Sequence, residues 1–379
     1  MKEKLRNNKI IFVLLWLEGA VISFNTACVA AVIPAIARDL HKDSFEIARV
    51  ISFYMIPYGL AALIYAPLVK RYSVKAIKTA CLLVFALASL IGGLSSSAFG
   101  LFSSRIFAGI AASATTPIAL ILIGELVPKE IRGRMVGAFF SGTFIAAFAG
   151  VILSAVLPWR MLFIAPAVFA LVNAVLVFMF FDFKSKVEYD YEVNYLHIIK
   201  ERRIVRIFIY ILILSLAYHG IYNWLGVYFS SLQHAQAQVS LLLSLVVFSG
   251  IFGQPLGGWV TDKKGRVFAA TLGLAGLSLA TVSLIKPFSF VYLAAVLFVF
   301  GIAWTMNHNA VSTVLTDFPD KLRPELASLN SAVRFAGGGL GVGLAGIFMQ
   351  KSFGLSFLGL GTIILLLAMA SDKILRENR

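Results

Sequence analysis

Few residues able to do chemistry interrupt the long apolar runs of this chain, and their types are those that handle protons and anions. Glu18 stands in the first run, with Asn25 seven residues on and therefore on the same helical face. Arg105 and Arg334 put guanidinium groups inside two other runs, where each can pair with a carboxylate or an anionic substrate. Two mixed clusters lie further along: Tyr218, His219, Tyr222, Asn223 and Trp224, then Trp304, Thr305, Asn307, His308 and Asn309. An aromatic wall carrying a few amides suits an amphipathic organic molecule, and histidine is the side chain that titrates nearest neutrality. A charged group at bilayer depth costs about 2.5–3.5 kcal/mol on insertion scales, so each of these residues is a functional candidate. Structural readings compete: Glu18 in an ion pair, the histidines neutral and hydrogen-bonded between helices, Trp224 and Trp304 as packing or interface anchors. No nucleophile–base pair, metal-ligand cluster or phosphate-binding glycine loop accompanies them, so the sequence argues against an enzyme, a metal centre, a cofactor or direct use of ATP. Cys28 and Cys81 fall within apolar runs and have no partners at disulfide or metal spacing.

The elements that must position these groups follow from composition. With only 13% of its 379 residues charged, the chain cannot cover a soluble surface with polar groups. Apolar segments long enough to span a bilayer recur at 10–37, 46–69, 77–96, 101–126, 135–156 and 160–181, then at 205–230, 237–260, 267–286, 290–316, 327–350 and 355–372. The first span has no small-residue cleavage site of a signal peptide. The net charge of +15 is a topology signal. Most of the 33 Lys and Arg residues fall at the N-terminus or in the segments 70–78, 129–134, 184–206, 263–266, 321–323 and 373–379, which all share one side if both termini are cytoplasmic. Nothing in that distribution calls for a nucleic-acid partner. The expected fold is an all-α polytopic membrane protein of twelve transmembrane helices.

The longest polar stretch separates two sets of six spans, giving bundles at 1–181 and 205–379 joined by a cytoplasmic linker at 182–204. An internal repeat relates them. Gly109 in RIFAGIA and Gly301 in LFVFGIA are 192 positions apart, and Ala66 and Gly258 have the same separation. Pro128 and Pro319 are 191 apart, as are Arg132 and Arg323, which join PKEIR to PDKLR. Two halves of equal orientation make a parallel repeat about an axis along the membrane normal.

GGWVTDKKGR, Gly257 to Arg266, carries the most specific motif, and APLVKRYSVK, Ala66 to Lys75, is its altered copy with Lys70 where an acid is usual. With FNTACVAAVIPAIARDL, RIFAGIAA and PWRMLF, these stretches resemble the major facilitator superfamily along essentially the whole chain, most of all its drug:proton antiporter branch. The resemblance implies a fold of two pseudo-symmetric six-helix bundles with spans 1, 4, 7 and 10 around a central cavity. Asn25, Thr116, Tyr218, Tyr222, Asn223, Trp224, Trp304, Asn307 and Asn309 then become substrate-binding candidates. Arg105 and Gly109 match the R-x-x-x-G pattern of span 4, and the face Arg105–Gly109–Ala112–Thr116 is small enough for a helix to approach.

The branch usually carries a proton-binding Asp where Asn25 stands. Asn cannot titrate, so coupling passes to Glu18, with Arg105, His219 and His308 as further members, or is absent. SGTFIAAFAGV also lacks the proline of the antiporter pattern in span 5. At the cytoplasmic end Asp262, beside Arg266, is expected to meet the start of span 5 near Gly133 and Arg134 as a conformational latch. Lys70 cannot do the same in the first half. There Asp317, Asp320 or Glu325 would reach Lys70 or Arg71, and Glu125–Pro128–Arg132 and Asp317–Pro319–Arg323 form either the surrounding network or plain solvated helix ends. A contact between Glu18 and Arg334 across the halves is a further expectation. The function implied is alternating-access transport of a small organic solute in exchange for protons, by a monomer in the cytoplasmic (inner) membrane. The alternatives are uniport or symport of a metabolite or lipid-like anion, with Arg105 and Arg334 as anion partners, and a sensor that does not transport.

Overall fold

In the computed structural model, residues 2–181, 195–198, 200–315, 318–319 and 322–376 are described, and among them no strand occurs. Twelve helical segments are long and apolar enough to cross a membrane. Spans 1 to 6 are Lys9–Asp39, Ser44–Val69, Val74–Leu94, Ala98–Leu126, Arg134–Leu153 and Met161–Phe180. Spans 7 to 12 are Arg202–Ser231, Gln236–Lys264, Arg266–Ser283, Phe290–Leu315, Glu325–Met349 and Phe353–Leu375. An even number of crossings brings both termini to one end of the molecule, the terminal end. Large apolar side chains left exposed on the outer faces, such as Phe169, Phe178, Leu279 and Met369, suit hydrocarbon rather than water.

Packing repeats between the halves. Span 1 packs on 5 and 6, span 2 on 4, and span 3 on 4 and 6; span 7 packs on 11 and 12, span 8 on 10, and span 9 on 10 and 12. Small residues set the closest approaches, as expected where lipid and side chain are equally apolar. A Cβ on Gly109 would collide with the carbonyl oxygen of Tyr54, and one on Gly301 with that of Val246, which stands 192 positions after Tyr54. Gly150 against the Phe24 carbonyl and Gly341 against the Leu216 carbonyl form a second mirrored pair.

The mirror has a local exception. Span 4 breaks at Ser113–Ala114, whereas span 10 is one continuous helix. Pro117 explains the difference, because it stands where span 10 has Asn309 and has no N–H for the Ser113 carbonyl. Ala114 N–H bonds back only to Ala111, and the Ile110 carbonyl takes the hydroxyls of Ser113 and Tyr65 instead.

Two sequence expectations change. Span 8, expected to end at 260, stays helical through Lys264, and Gly265 alone, at φ +88°, joins it to span 9. Gly257 instead allows span 10 close, a Cβ there lying 2.9 Å from the Met306 Cα. Lys78, expected among the charged loop residues, lies inside span 3, because that helix begins at Val74 with Ser73 capping the Ala76 N–H. Most of the expected linker is outside the described residues; its Tyr195–Ile198 forms a short helix whose Tyr195 hydroxyl donates to the Leu63 carbonyl of span 2. Burial pushes the Tyr195 phenol above its ordinary range.

The mirrored contacts predict that Gly109→Val and Gly301→Val each destabilise the purified protein by at least about 1–3 kcal/mol, the usual scale of overpacking. Gly137→Ala, with nothing within 4 Å of the added carbon and a gain in helix propensity, does not lower the thermal midpoint. A Gly301→Val protein melting like the parent would remove the mirrored contact from the account.

Candidate functional site

Between the halves lies a cavity of about 450 Å³, walled by spans 1, 2, 4, 5, 7, 8, 10 and 11. Its lining includes two guanidinium groups, Arg105 from the first half and Arg334 from the second, and no Asp or Glu. At the end away from the termini the halves close over it. Ser154 and Ser240 share a hydrogen bond of 2.8 Å between spans 5 and 8, Gln236 donates to the Ala31 carbonyl, and the Phe45 and Trp224 rings pack at 4.9 Å. Spans 2 and 11 meet along the Ser52–Gly339 hydrogen bond and the stacked Tyr58 and Phe335 rings.

The two arginines are held differently. Arg105 is almost fully buried, with Nη1 donating to Asn25 Oδ1 at 2.7 Å and its guanidinium over the Tyr54 ring at 4.1 Å. Asn25 is fixed in turn by donating to the Leu162 carbonyl, so it lies behind Arg105 and not on the cavity surface. The amide satisfies one donor of the guanidinium without neutralising its charge. Arg334 donates from Nε to Asn330 Oδ1 at 2.7 Å, one turn back on the same helix. Its Nη1 and Nη2 have no hydrogen-bond partner. The same cavity is lined by Tyr58, Tyr218, His219, Trp304, His308 and Phe335. Tyr218 and Trp304 stack at 3.5 Å between centroids and 7° between planes.

Glu18 is elsewhere. Its Oε2 lies 2.7 Å from Lys78 Nζ and its Oε1 accepts from the Thr115 hydroxyl at 2.9 Å, with both charged side chains essentially inaccessible. This three-helix brace joins spans 1, 3 and 4 within the first half, and Glu18 makes no contact with Arg334. The second half repeats it in neutral form. Tyr210, Ala270 and Asn307 stand 192 positions after Glu18, Lys78 and Thr115, and the Asn307 amide donates to the Tyr210 hydroxyl and the Ala270 carbonyl. A pair of full charges and a set of neutral dipoles thus occupy equivalent positions.

The sequence candidates divide accordingly. Thr116, Tyr218, His219, Tyr222, Asn223, Trp304, His308, Arg105 and Arg334 line the cavity. Asn223 is positioned by donating to the His219 carbonyl where span 7 breaks, and its Nδ2 lies 3.3 Å from His219 Nδ1. Trp224, Asn307 and Asn309 do not line it, a correction set by helical phase. Trp224 donates to the Val342 carbonyl and borders a separate cavity of about 350 Å³ at the closed end, Asn307 belongs to the brace, and Asn309 donates to Gln254 of span 8. The sequence reading missed Lys78, Asn330, Tyr54 and Tyr58. A lysine four residues inside an apolar helix was the available signal for the first. The i, i+4 spacing of an amide and an arginine was the signal for Asn330.

Among the latch candidates Asp262 is exposed, with no ion pair or hydrogen bond among the described residues, and the side chains of Lys129, Glu130 and Arg132 at the start of the span 5 helix lie outside them. Arg71 and Glu125 are exposed and Arg266 is half-buried. Asp317 and the side chains of Arg132 and Arg323 lie outside the described residues, as do Asp320 and the side chain of Lys70.

Twelve spans in two mirrored halves around a cavity at their interface define a multi-pass membrane transporter. A family model described as Major Facilitator Superfamily matches residues 15–345, and the chain belongs to that superfamily, whose members are transporters and not enzymes. It is 24% identical to the uncharacterized MFS-type transporter YwfA of Bacillus subtilis over 78% of this chain and 74% of that one. It is 27% identical to the 4-hydroxybenzoate transporter PcaK of Pseudomonas aeruginosa, over 44% of this chain and 38% of that one. The xylose transporter XylE from E. coli shares the fold, with a TM-score of 0.76 at 14% identity, covering 98% of this chain and 99% of that one.

Breaking a buried ion pair typically costs about 3–5 kcal/mol. Lys78→Ala is therefore expected to lower the thermal midpoint sharply. The triple variant Glu18→Tyr, Lys78→Ala, Thr115→Asn, which transplants the neutral brace, recovers most of the loss. Scanning fluorimetry of the purified variants checks both, and no recovery in the triple variant would refute the equivalence.

Proposed function

We propose that this protein is a secondary transporter that moves a small organic anion across the cytoplasmic membrane by alternating access. One observation carries the reading: the central cavity presents a guanidinium from each half and no carboxylate. Two uncompensated cations at bilayer depth repel one another and cations in the cavity, and an anion bound between them supplies the missing counter-charge. Because the arginines belong to different halves, a bound anion also bears on how the halves sit together, which is what couples occupancy to conformational change. The likeness to a 4-hydroxybenzoate transporter supports the same class of substrate. In this reading both termini are cytoplasmic, the bundles 1–181 and 205–379 rock as units, the chain acts as a monomer, and the exposure of Asp262 belongs to a cavity open toward the cytoplasm.

Proton-coupled efflux of drug-like solutes, the reading implied by the antiporter branch, draws less support. Asn25 holds Arg105 without titrating, and Glu18 is engaged with Lys78 away from the cavity.

Counterflow in proteoliposomes tests the proposal with radiolabelled 4-hydroxybenzoate and a lipophilic cation as alternative cargoes. Saturable anion flux is expected, reduced by roughly two orders of magnitude in Arg105→Ala or Arg334→Ala, the scale of losing a buried charge pairing. Exchange of the cation alone, driven by a pH gradient and lost in Glu18→Gln, would overturn it in favour of antiport.

A further inference from the structure

Resting on the anion reading, we infer that Arg334 is the carboxylate seat and that the substrate is a planar aromatic monocarboxylate. Arg334 is 8% exposed, and its Nε is tied to Asn330, which fixes the plane of the guanidinium. Among the described residues, Arg334 is the cavity-lining residue with both terminal nitrogens buried and without a partner. That is the fork a carboxylate fills with two parallel hydrogen bonds, and a lysine cannot reproduce it. Arg105 offers a poorer seat. Its Nη1 is taken by Asn25, its guanidinium lies over the Tyr54 ring, and of its nitrogens Nε is buried without a partner, so it contributes chiefly positive potential. One pair of unpartnered terminal nitrogens suits one carboxylate.

The rest of the molecule is selected by the aromatic stack. Tyr222 stacks on Tyr218 within 4° of parallel and Tyr218 on Trp304 within 7°. Tyr218 is buried in the stack, whereas the Trp304 indole keeps part of its surface open to the cavity. A flat ring continuing this series gains offset-stacking contact that a puckered aliphatic ring of the same size and charge does not. His219 and His308 pack edge-on or tilted against Trp304 and flank the same region.

Isothermal titration of the full-length protein in detergent, with benzoate, cyclohexanecarboxylate, benzamide and terephthalate as probes, tests the assignment. Benzoate is expected to bind about tenfold more tightly than cyclohexanecarboxylate, and benzamide and terephthalate weakly or not at all. Arg334→Lys, folded by size-exclusion, should lose about tenfold or more in benzoate affinity although the charge is kept. Asn330→Ala should weaken every carboxylate, whereas Trp304→Leu should erase the preference for benzoate over cyclohexanecarboxylate. Equal affinity for the two carboxylates or full affinity in Arg334→Lys would overturn this seat and leave the anion reading standing. Binding confined to neutral or cationic solutes would overturn both.

Discussion

A charge in hydrocarbon must find a partner, and the architecture can be ordered by how each buried charge meets that requirement. Lys78 and Glu18 satisfy each other and need nothing else, so they are inert to what enters the cavity. Arg105 is held by an amide and an aromatic face, which meet its hydrogen-bonding need in part and leave its charge. Arg334 is anchored at one nitrogen and unpartnered at two, among the described residues. This gradation, from closed to open, runs from inside the first bundle to the interface between the bundles. It separates the groups that hold the fold from those that await a solute.

Much of the fold was legible in the sequence because bilayer thickness imposes a length on every span and the positive loops mark their ends. All twelve spans fall within a few residues of where hydropathy puts them. The repeat was legible too, since a near-constant separation, 192 from Phe24 to Leu216 and 191 from Gly150 to Gly341, relates their contacts. Helical phase was not. These helices are apolar on most of their circumference, so no amphipathic stripe says which side of span 10 faces the cavity, and Asn307 and Asn309 were assigned to it although they point to spans 9 and 8. Lys78 was misplaced for a related reason: a cation near a span end counts as a loop residue until a partner is found, and Glu18 lies 60 positions away in sequence.

The departures from the superfamily pattern that looked like losses acquire a physical sense together. Asn in place of an acid at position 25 leaves the Arg105 charge uncancelled, and the cavity it borders holds no other carboxylate. Lys70 in place of an acid makes the two ends of the repeat chemically unlike, and in this conformation the remaining acid, Asp262, is exposed. A site that discriminates by sign and a gate with unequal halves are separate matters, and the first does not depend on the second.

The mirrored contacts between glycines and carbonyls bear on how such a chain can change length. An added residue inside a helix turns everything beyond it by about 100°, which would carry Gly109 or Gly301 away from the carbonyl it must face and present a side chain there instead. Turns have no such register to keep. The separation between the halves accordingly holds at 192 from Phe24 through Glu125 and drops to 191 only by Pro128, across the single turn that leaves span 4. Divergence since the duplication has been free to rewrite side chains, even to exchange an ion pair for neutral dipoles, while insertion and deletion have been confined to the ends of the helices.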